Sequence, residues 1–306
     1  MHDIPDFWRF IMLEPLFDAL WDAFKDSLKI LPFLFITYLI MEYLESHSED
    51  RVRDLVKRAG WTGPLWGSLL GAVPQCGFSA AASNLYAGRT ISLGTLIAIF
   101  LSTSDEMLPI MISSSFPAVR MGKILAMKVV IAIAAGFLID GICHTIASKK
   151  TGQANDGEGF LIERLCEKEH CHCDNGSIVG SALKHTGHIL LFVFVITFLF
   201  NMMFLFVGED TLTNVISAYP VLGLFLSAFI GLIPNCGASV LLTQMYLHNL
   251  IPVSYLMAGL LDGAGVGLLI LFRVNPDLTE NMKITGILYA LAIGFGFFIH
   301  MIGFAV

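Results

Sequence analysis

Hydrophobic positions run in long blocks along this chain, and the blocks are interrupted at a few matching places. Those at 29–46, 92–113, 122–146, 188–207 and 284–306 can each cross a hydrocarbon core, which takes about 20 apolar residues in a helix. The short alternating segments of a membrane β-barrel do not occur. Ahead of the first block, Phe7, Phe10, Leu13, Phe17, Leu20 and Phe24 recur every three or four positions, with Asp6, Arg9, Asp18, Asp22 and Lys25 between them. That pattern predicts an amphipathic helix over residues 1–27, lying in the membrane interface. It has neither the basic leader nor the cleavage site of a signal peptide.

The pattern then occurs twice. Shifting the chain by 160 residues lays 28–143 on 188–303 without a gap. Ile36-Thr37 falls on Ile196-Thr197, and Glu49-Asp50 on Glu209-Asp210. Pro74, Cys76, Gly77, Ser79 and Tyr86 fall on Pro234, Cys236, Gly237, Ser239 and Tyr246, and Gly136-Phe137 on Gly296-Phe297. A constant offset through loops as well as helices indicates a duplication. It divides the chain into the interfacial helix, a first repeat at 28–146, a connector at 147–187 and a second repeat at 188–306.

Basic residues orient the repeats. The loop after the first span carries Arg51, Arg53, Lys57 and Arg58, whereas its counterpart carries Glu209 and Asp210, and no Lys or Arg lies between Lys184 and Arg273. Equivalent loops are therefore expected on opposite sides, with the halves inverted and the connector in the cytoplasm. Arg120 and Lys123 then fall on the outer side, against the general trend. Inversion needs an odd number of crossings per half. Segments 29–46, 92–113 and 119–146 supply three, and 62–88, broken at Pro74–Gly77, is either a re-entrant hairpin or two short spans. The second choice gives about five helical segments per half. The expected fold is an all-α polytopic membrane protein of two inverted repeats with broken or re-entrant helices at their interface.

Composition agrees. The chain has 306 residues, 56% of them hydrophobic, 14% charged, with a mean hydropathy of +0.74; a soluble domain carries about 25% charged residues. The net charge of −7 says little about a membrane protein, where the placement of basic residues matters more; no nucleic-acid partner is expected.

The breaks carry the candidate chemistry. "VPQCGFSAAASNLY" at 73–86 and "IPNCGASVLLTQMY" at 233–246 each set a proline, an amide, a cysteine and a glycine inside an apolar segment. Pro74 and Pro234 remove a backbone donor, and Gly77 and Gly237 tolerate unusual dihedrals. Broken helices at matching positions of two halves mark a secondary transporter's binding site. The substrate-binding candidates there are Gln75, Cys76, Ser79 and Asn84, with Asn235, Cys236, Ser239 and Gln244 opposite. Small and polar residues also serve as glue between membrane helices, and for the hydroxyls the two readings stand level. The next segment holds Asp105 and Glu106 in "LSTSDEMLP" and Asp262 in "LLDGAGVGLL". A carboxylate at mid-membrane costs about 2.5–3.5 kcal/mol, and neither run offers a Lys or Arg. Protonation or a bound cation is the cheaper solution, and Gly263 and Gly265 predict a further break beside Asp262. Asp140 and His300 fall at equivalent places near span ends, as a proton relay or as caps. In the connector, Cys166, His170, Cys171, His172 and Cys173 put five ligands suited to a soft metal into eight residues, though not at zinc-finger spacing. No cofactor is required; a metal ion bound by this connector is the one to expect.

The paired P-[QN]-C-G breaks, the "STSDE" and "LDGAG" segments and the Cys/His-rich loop resemble the ten-span heavy-metal exporters. These are permeases related by name to the ArsP organoarsenical permeases, and some members are labelled manganese transporters. The resemblance covers nearly the whole chain after the interfacial helix. It implies efflux of a metal or metalloid across a cell (inner) membrane, with Cys76, Cys236, Asp105, Glu106 and Asp262 as contacts. Protons are the expected coupling ion, and a homo-oligomer is compatible with the architecture. Two other functions were weighed. An anion or polyprenyl-phosphate carrier fits poorly with the absence of Arg and Lys from 59–88, 90–119 and 185–272. A membrane-embedded lipid hydrolase lacks a histidine or arginine near "STSDE". The chain is therefore expected not to be an enzyme.

Overall fold

A computed structural model describes residues 62–73, 76–104, 107–149, 178–207 and 220–303, with helical positions scattered between 17 and 39. Every element among them is a helix. In chain order they are α1 (Gly63–Gly71), α2 (Cys76–Ala87), α3 (Leu93–Ser102), α4 (Met107–Ser113), α5 (Ala118–Lys149), α6 (Ile178–Val207), α7 (Pro220–Gly231), α8 (Cys236–Leu247), α9 (Val253–Asp262), α10 (Val266–Val274) and α11 (Leu278–Ile302). The boundaries of α2 and α3 recur in α8 and α9 at the sequence offset, so the duplication is structural.

Among the described residues, four helical stretches are long and apolar enough to cross a membrane: Leu93–Ser113, Ala118–Thr145, Val253–Val274 and Leu278–Ile302. They are of two kinds. The two discontinuous ones, α3–α4 and α9–α10, are 69% and 78% buried in protein, against 39% and 28% for the continuous α5 and α11. Irregular backbone survives at membrane depth only when it is covered, so the broken spans take the centre. The continuous helices carry the lipid-facing side chains, among them Val130 and Leu138 on α5 and Phe298 and Met301 on α11.

Packing repeats within each half. In the first, α3 packs on α1 and α5; in the second, α9 packs on α7 and α11. Small residues permit this closeness. A Cβ on Gly71 would lie 2.7 Å from the Ile99 carbonyl oxygen, and one on its counterpart Gly231 2.8 Å from the Gly259 carbonyl carbon. Between halves the elements interlock: α2 packs on α10, α8 packs on α4, and α3 meets α9. The described positions of the N-terminal segment keep Ala19, Ala23 and Ser27 buried while Phe17, Leu20, Trp21 and Phe24 are exposed.

Candidate functional site

At the first kind of break, α7 ends at Gly231 and α8 starts at Cys236. Asn235 is the cap residue, extended at φ −143°, and its Oδ1 accepts a hydrogen bond from the Gly237 amide at 3.0 Å. Capping satisfies one of the donors that the start of a helix leaves open. The amide chosen from sequence therefore holds the helix start in shape. The matching interruption in the first half separates α1 from α2, and there Pro74 and Gln75 lie outside the described residues.

The second kind of break lies one segment on. Helix α9 stops at Asp262 and α10 resumes at Val266, across Gly263, Ala264 and Gly265. Gly265 sits at φ +54°, ψ −138°, a conformation open in practice to glycine alone. In the first half, α3 stops at Ser102 and α4 starts at Met107; Asp105 and Glu106, between them, lie outside the described residues.

A small cavity opens where these ends meet. Thr103 and Ser104 enter it from the end of α3, Asn235 and Ser239 from the start of α8, and Leu260 and Gly263 from the end of α9. Both repeats thus contribute, and Asn235 and Ser239 reach one site together with the two broken spans. Its polar side chains are Thr103, Ser104, Asn235 and Ser239, set in a largely apolar lining. The hydroxyls of Ser102, Thr103 and Ser104 donate to backbone carbonyls at Ile99, Ile99 and Ser102, so they present lone pairs to whatever else approaches. Among the described residues, no three His, Cys, Asp or Glu side chains come together.

Asp262 is fully buried at the end of α9, and among the described residues neither carboxylate oxygen has a hydrogen-bond partner. A buried acceptor left unmade costs about 1–3 kcal/mol, more when charged. Protonation or a bound cation relieves that cost.

The other candidates are placed as follows. Ser79 is buried at the crossing of α2 and α10, against Gly267. Asn84 is buried and donates to the Ala80 carbonyl of its own helix at 3.3 Å, whereas Gln244 is exposed. Cys76 and Cys236 are the first residues of α2 and α8. Cys166, His170, Cys171, His172 and Cys173 lie outside the described residues. Asp140 accepts from the Gly94 amide at 2.8 Å and the Ser92 hydroxyl at 2.7 Å, which puts a carboxylate against the N-terminus of α3, where the helix dipole favours it. Its counterpart His300 stands 3.4 Å from the Ser254 hydroxyl, near the start of α9.

One residue was missed from sequence. Lys128 on α5 is fully buried, and its ammonium donates to the carbonyls of Thr103 and, at 2.9 Å, Leu260. Both carbonyls sit at C-terminal ends of broken helices, both residues line the cavity, and each such end carries about half a negative elementary charge. The two ends together balance about one ammonium.

A second cluster ties the halves together away from the cavity. Arg89, just past α2, forms a two-pronged ion pair with Glu280 near the start of α11 at 3.0 and 3.2 Å. Glu280 also accepts from the Tyr86 hydroxyl at 2.5 Å and from Asn275 at 3.0 Å. The hydrogen bond to Glu280 raises the already high pKa of the Arg89 guanidinium. The equivalent residues, Asn249 and Arg120, include no carboxylate, so only one end of the molecule carries this clasp.

No curated protein and no solved structure matches this chain. The sequence model of one family does match it, twice, over residues 12–175 and 161–301. Taken with the helical fold and its two repeats, that match assigns the chain to the family described as "Putative, 10TM heavy-metal exporter".

Proposed function

We propose that this protein is a secondary-active exporter, moving a heavy-metal or metalloid species out of the cell in exchange for protons. The observation that carries the reading is Asp262: a fully buried carboxylate with no hydrogen-bond partner among the described residues, at the end of a broken helix beside a cavity between two repeats. A charge placed there is expensive, and alternate neutralisation by a cation and by a proton couples one to the other. Asn235 and Ser239, with Gln75 opposite, orient the substrate. Asp105 and Glu106 add charge, and Cys76 and Cys236 add soft ligands. Oxygen ligands suit a divalent cation such as manganese, and thiolates suit arsenic(III) or zinc. The halves are read as inverted, which lets one central site open to either side, in a cell (inner) membrane with the Cys/His-rich connector in the cytoplasm. That connector collects metal for export.

The test is uptake into inside-out vesicles under an imposed pH gradient, with Mn²⁺, Zn²⁺, Co²⁺, Cd²⁺, arsenite and methylarsenite. Wild type is compared with Asp262→Asn and with Cys76→Ser/Cys236→Ser. A species that moves in wild type and stops in Asp262→Asn is the expected result, and the cysteine variant then sorts soft from hard ligation. If nothing on the panel moves, or Asp262→Asn transports as wild type does, the assignment fails, and anions and polyprenyl phosphates are the substrates to try next.

A further inference from the structure

The ends of two broken helices that point carbonyl oxygens at one spot make a binding site for a small monovalent cation, because each end carries partial negative charge and no side-chain proton competes. Here α3 and α9 make such a spot, with the carbonyls of Thr103 and Leu260. It is filled by the ammonium of Lys128, delivered from α5 and fully buried. The repeat equivalent of Lys128 is Leu288, also fully buried on α11, so the fold does not need a lysine at this register. The charge is specific to one half and to this pair of helix ends.

We infer that Lys128 is a tethered counterpart of a free coupling cation: its ammonium occupies a sodium-type carbonyl site, holds the ends of α3 and α9 together, and makes transport independent of sodium or potassium. The ends it joins belong to different repeats, so they must stay in register while the halves rock. A diffusible cation would have to be captured in each cycle, whereas a tethered one is always present. The inference deepens the transport reading, since it concerns the same cavity. It also predicts that removing the side chain leaves a vacant monovalent-cation site.

The experiment is thermal unfolding of purified wild type, Lys128→Ala and Lys128→Met in chloride salts of sodium, potassium, methylammonium and choline at equal ionic strength. Wild type is expected to melt at one temperature in all four. Lys128→Ala should melt lower in choline and recover about 2–4 °C, saturably, in methylammonium or sodium, because a ligand that binds only the folded state stabilises it. Lys128→Met fills the space without charge and should be destabilised equally in every salt. The inference is overturned if Lys128→Ala ignores the cation, if Lys128→Met is as stable as wild type, or if wild type itself is stabilised by sodium. Should Lys128→Ala be recoverable only in methylammonium or sodium buffers, that is the expected cation dependence. No recovery in any salt overturns the inference. In vesicles, wild-type transport should persist with sodium and potassium replaced by choline. A panel in which no metal moves would defeat the transport reading while leaving the unfolding result intact.

Discussion

Gly267→Ala should loosen the joint between the two repeats. At the crossing of α2 with α10, a Cβ on Gly267 would lie 2.6 Å from the Ser79 Cβ and 2.7 Å from its carbonyl carbon and oxygen. Carbon atoms in contact optimally lie about 3.5–4.0 Å apart, so the helices must separate by about 1 Å. Backbone stands on both sides, so no side chain can rotate away. Overpacking of this kind costs about 1–3 kcal/mol. The same movement breaks the hydrogen bond from the Ser83 hydroxyl to the Gly267 carbonyl, 2.6 Å long, and contacts of this type inside membranes are worth about 0.6 kcal/mol, at most about 1.7. The total is about 2–4 kcal/mol, a fall in Tm of about 3–6 °C by the scaling of soluble domains. The assay is heating in one fixed detergent followed by size-exclusion chromatography of what remains monodisperse. Ser83→Ala reports the hydrogen bond alone and should lose less. Gly122→Ala and Gly141→Ala on α5 have nothing within 4 Å of the new methyl and should gain up to about 1 kcal/mol from helix propensity. If Gly267→Ala melts within a degree of wild type, or Gly122→Ala falls as far, the close crossing does not hold the halves together.

Three other outcomes are expected. Asp262→Asn should raise Tm, by removing a buried charge worth about 2.5–3.5 kcal/mol at mid-membrane, while lowering transport at least tenfold; a Tm that falls with transport intact would contradict both parts. Asp140→Asn should keep transport and most of the stability, since its amide oxygen accepts from the Gly94 amide and its NH2 donates to the Ser92 hydroxyl oxygen in place of the bond Asp140 accepts there, whereas Asp140→Ala should lose about 1 kcal/mol in thermal unfolding. Loss of transport in the asparagine variant alone would instead identify a proton carrier. Glu280→Gln should destabilise more than Arg89→Gln, because Glu280 serves Arg89, Tyr86 and Asn275 together. The ion pair by itself, with Arg89 56% exposed, contributes about 0.2–1 kcal/mol, and a double-mutant cycle separates the parts. A coupling energy near zero would make the clasp decorative.

What could be read from sequence and what could not divide along a physical line. Apolar runs and a constant offset report where helices lie, and Pro234 with Asn235 or Gly263 with Gly265 report where they stop, because these features act through residues adjacent in the chain. Asp262 was legible for a different reason: a carboxylate in an apolar run is costly wherever the helix turns out to point. Lys128 was passed over although it stands two turns inside a span and its repeat counterpart is leucine. Its partners are the carbonyls of Thr103 and Leu260, and a carbonyl leaves no mark on a sequence, since every residue has one. The same holds for Asp140, whose capping bond to Gly94 spans 46 residues. It holds also for Ser79 and Gly267, which belong to different repeats and meet only when α2 crosses α10.

That division says where the asymmetry of a duplicated protein resides. A duplication supplies two copies of each helix end, and with them two copies of the same partial charge. The copies become one functional centre only when a side chain breaks the symmetry by joining them. Lys128 does so at the ends of α3 and α9; Glu280 joins the repeats through the ends of α2 and α11, which are not copies of each other. Both lack a like-charged counterpart at the matching position, where Leu288 and Arg120 stand. With the ammonium of Lys128 donating to two helix ends, Asp262 is the buried carboxylate at this centre whose oxygens have no hydrogen-bond partner among the described residues.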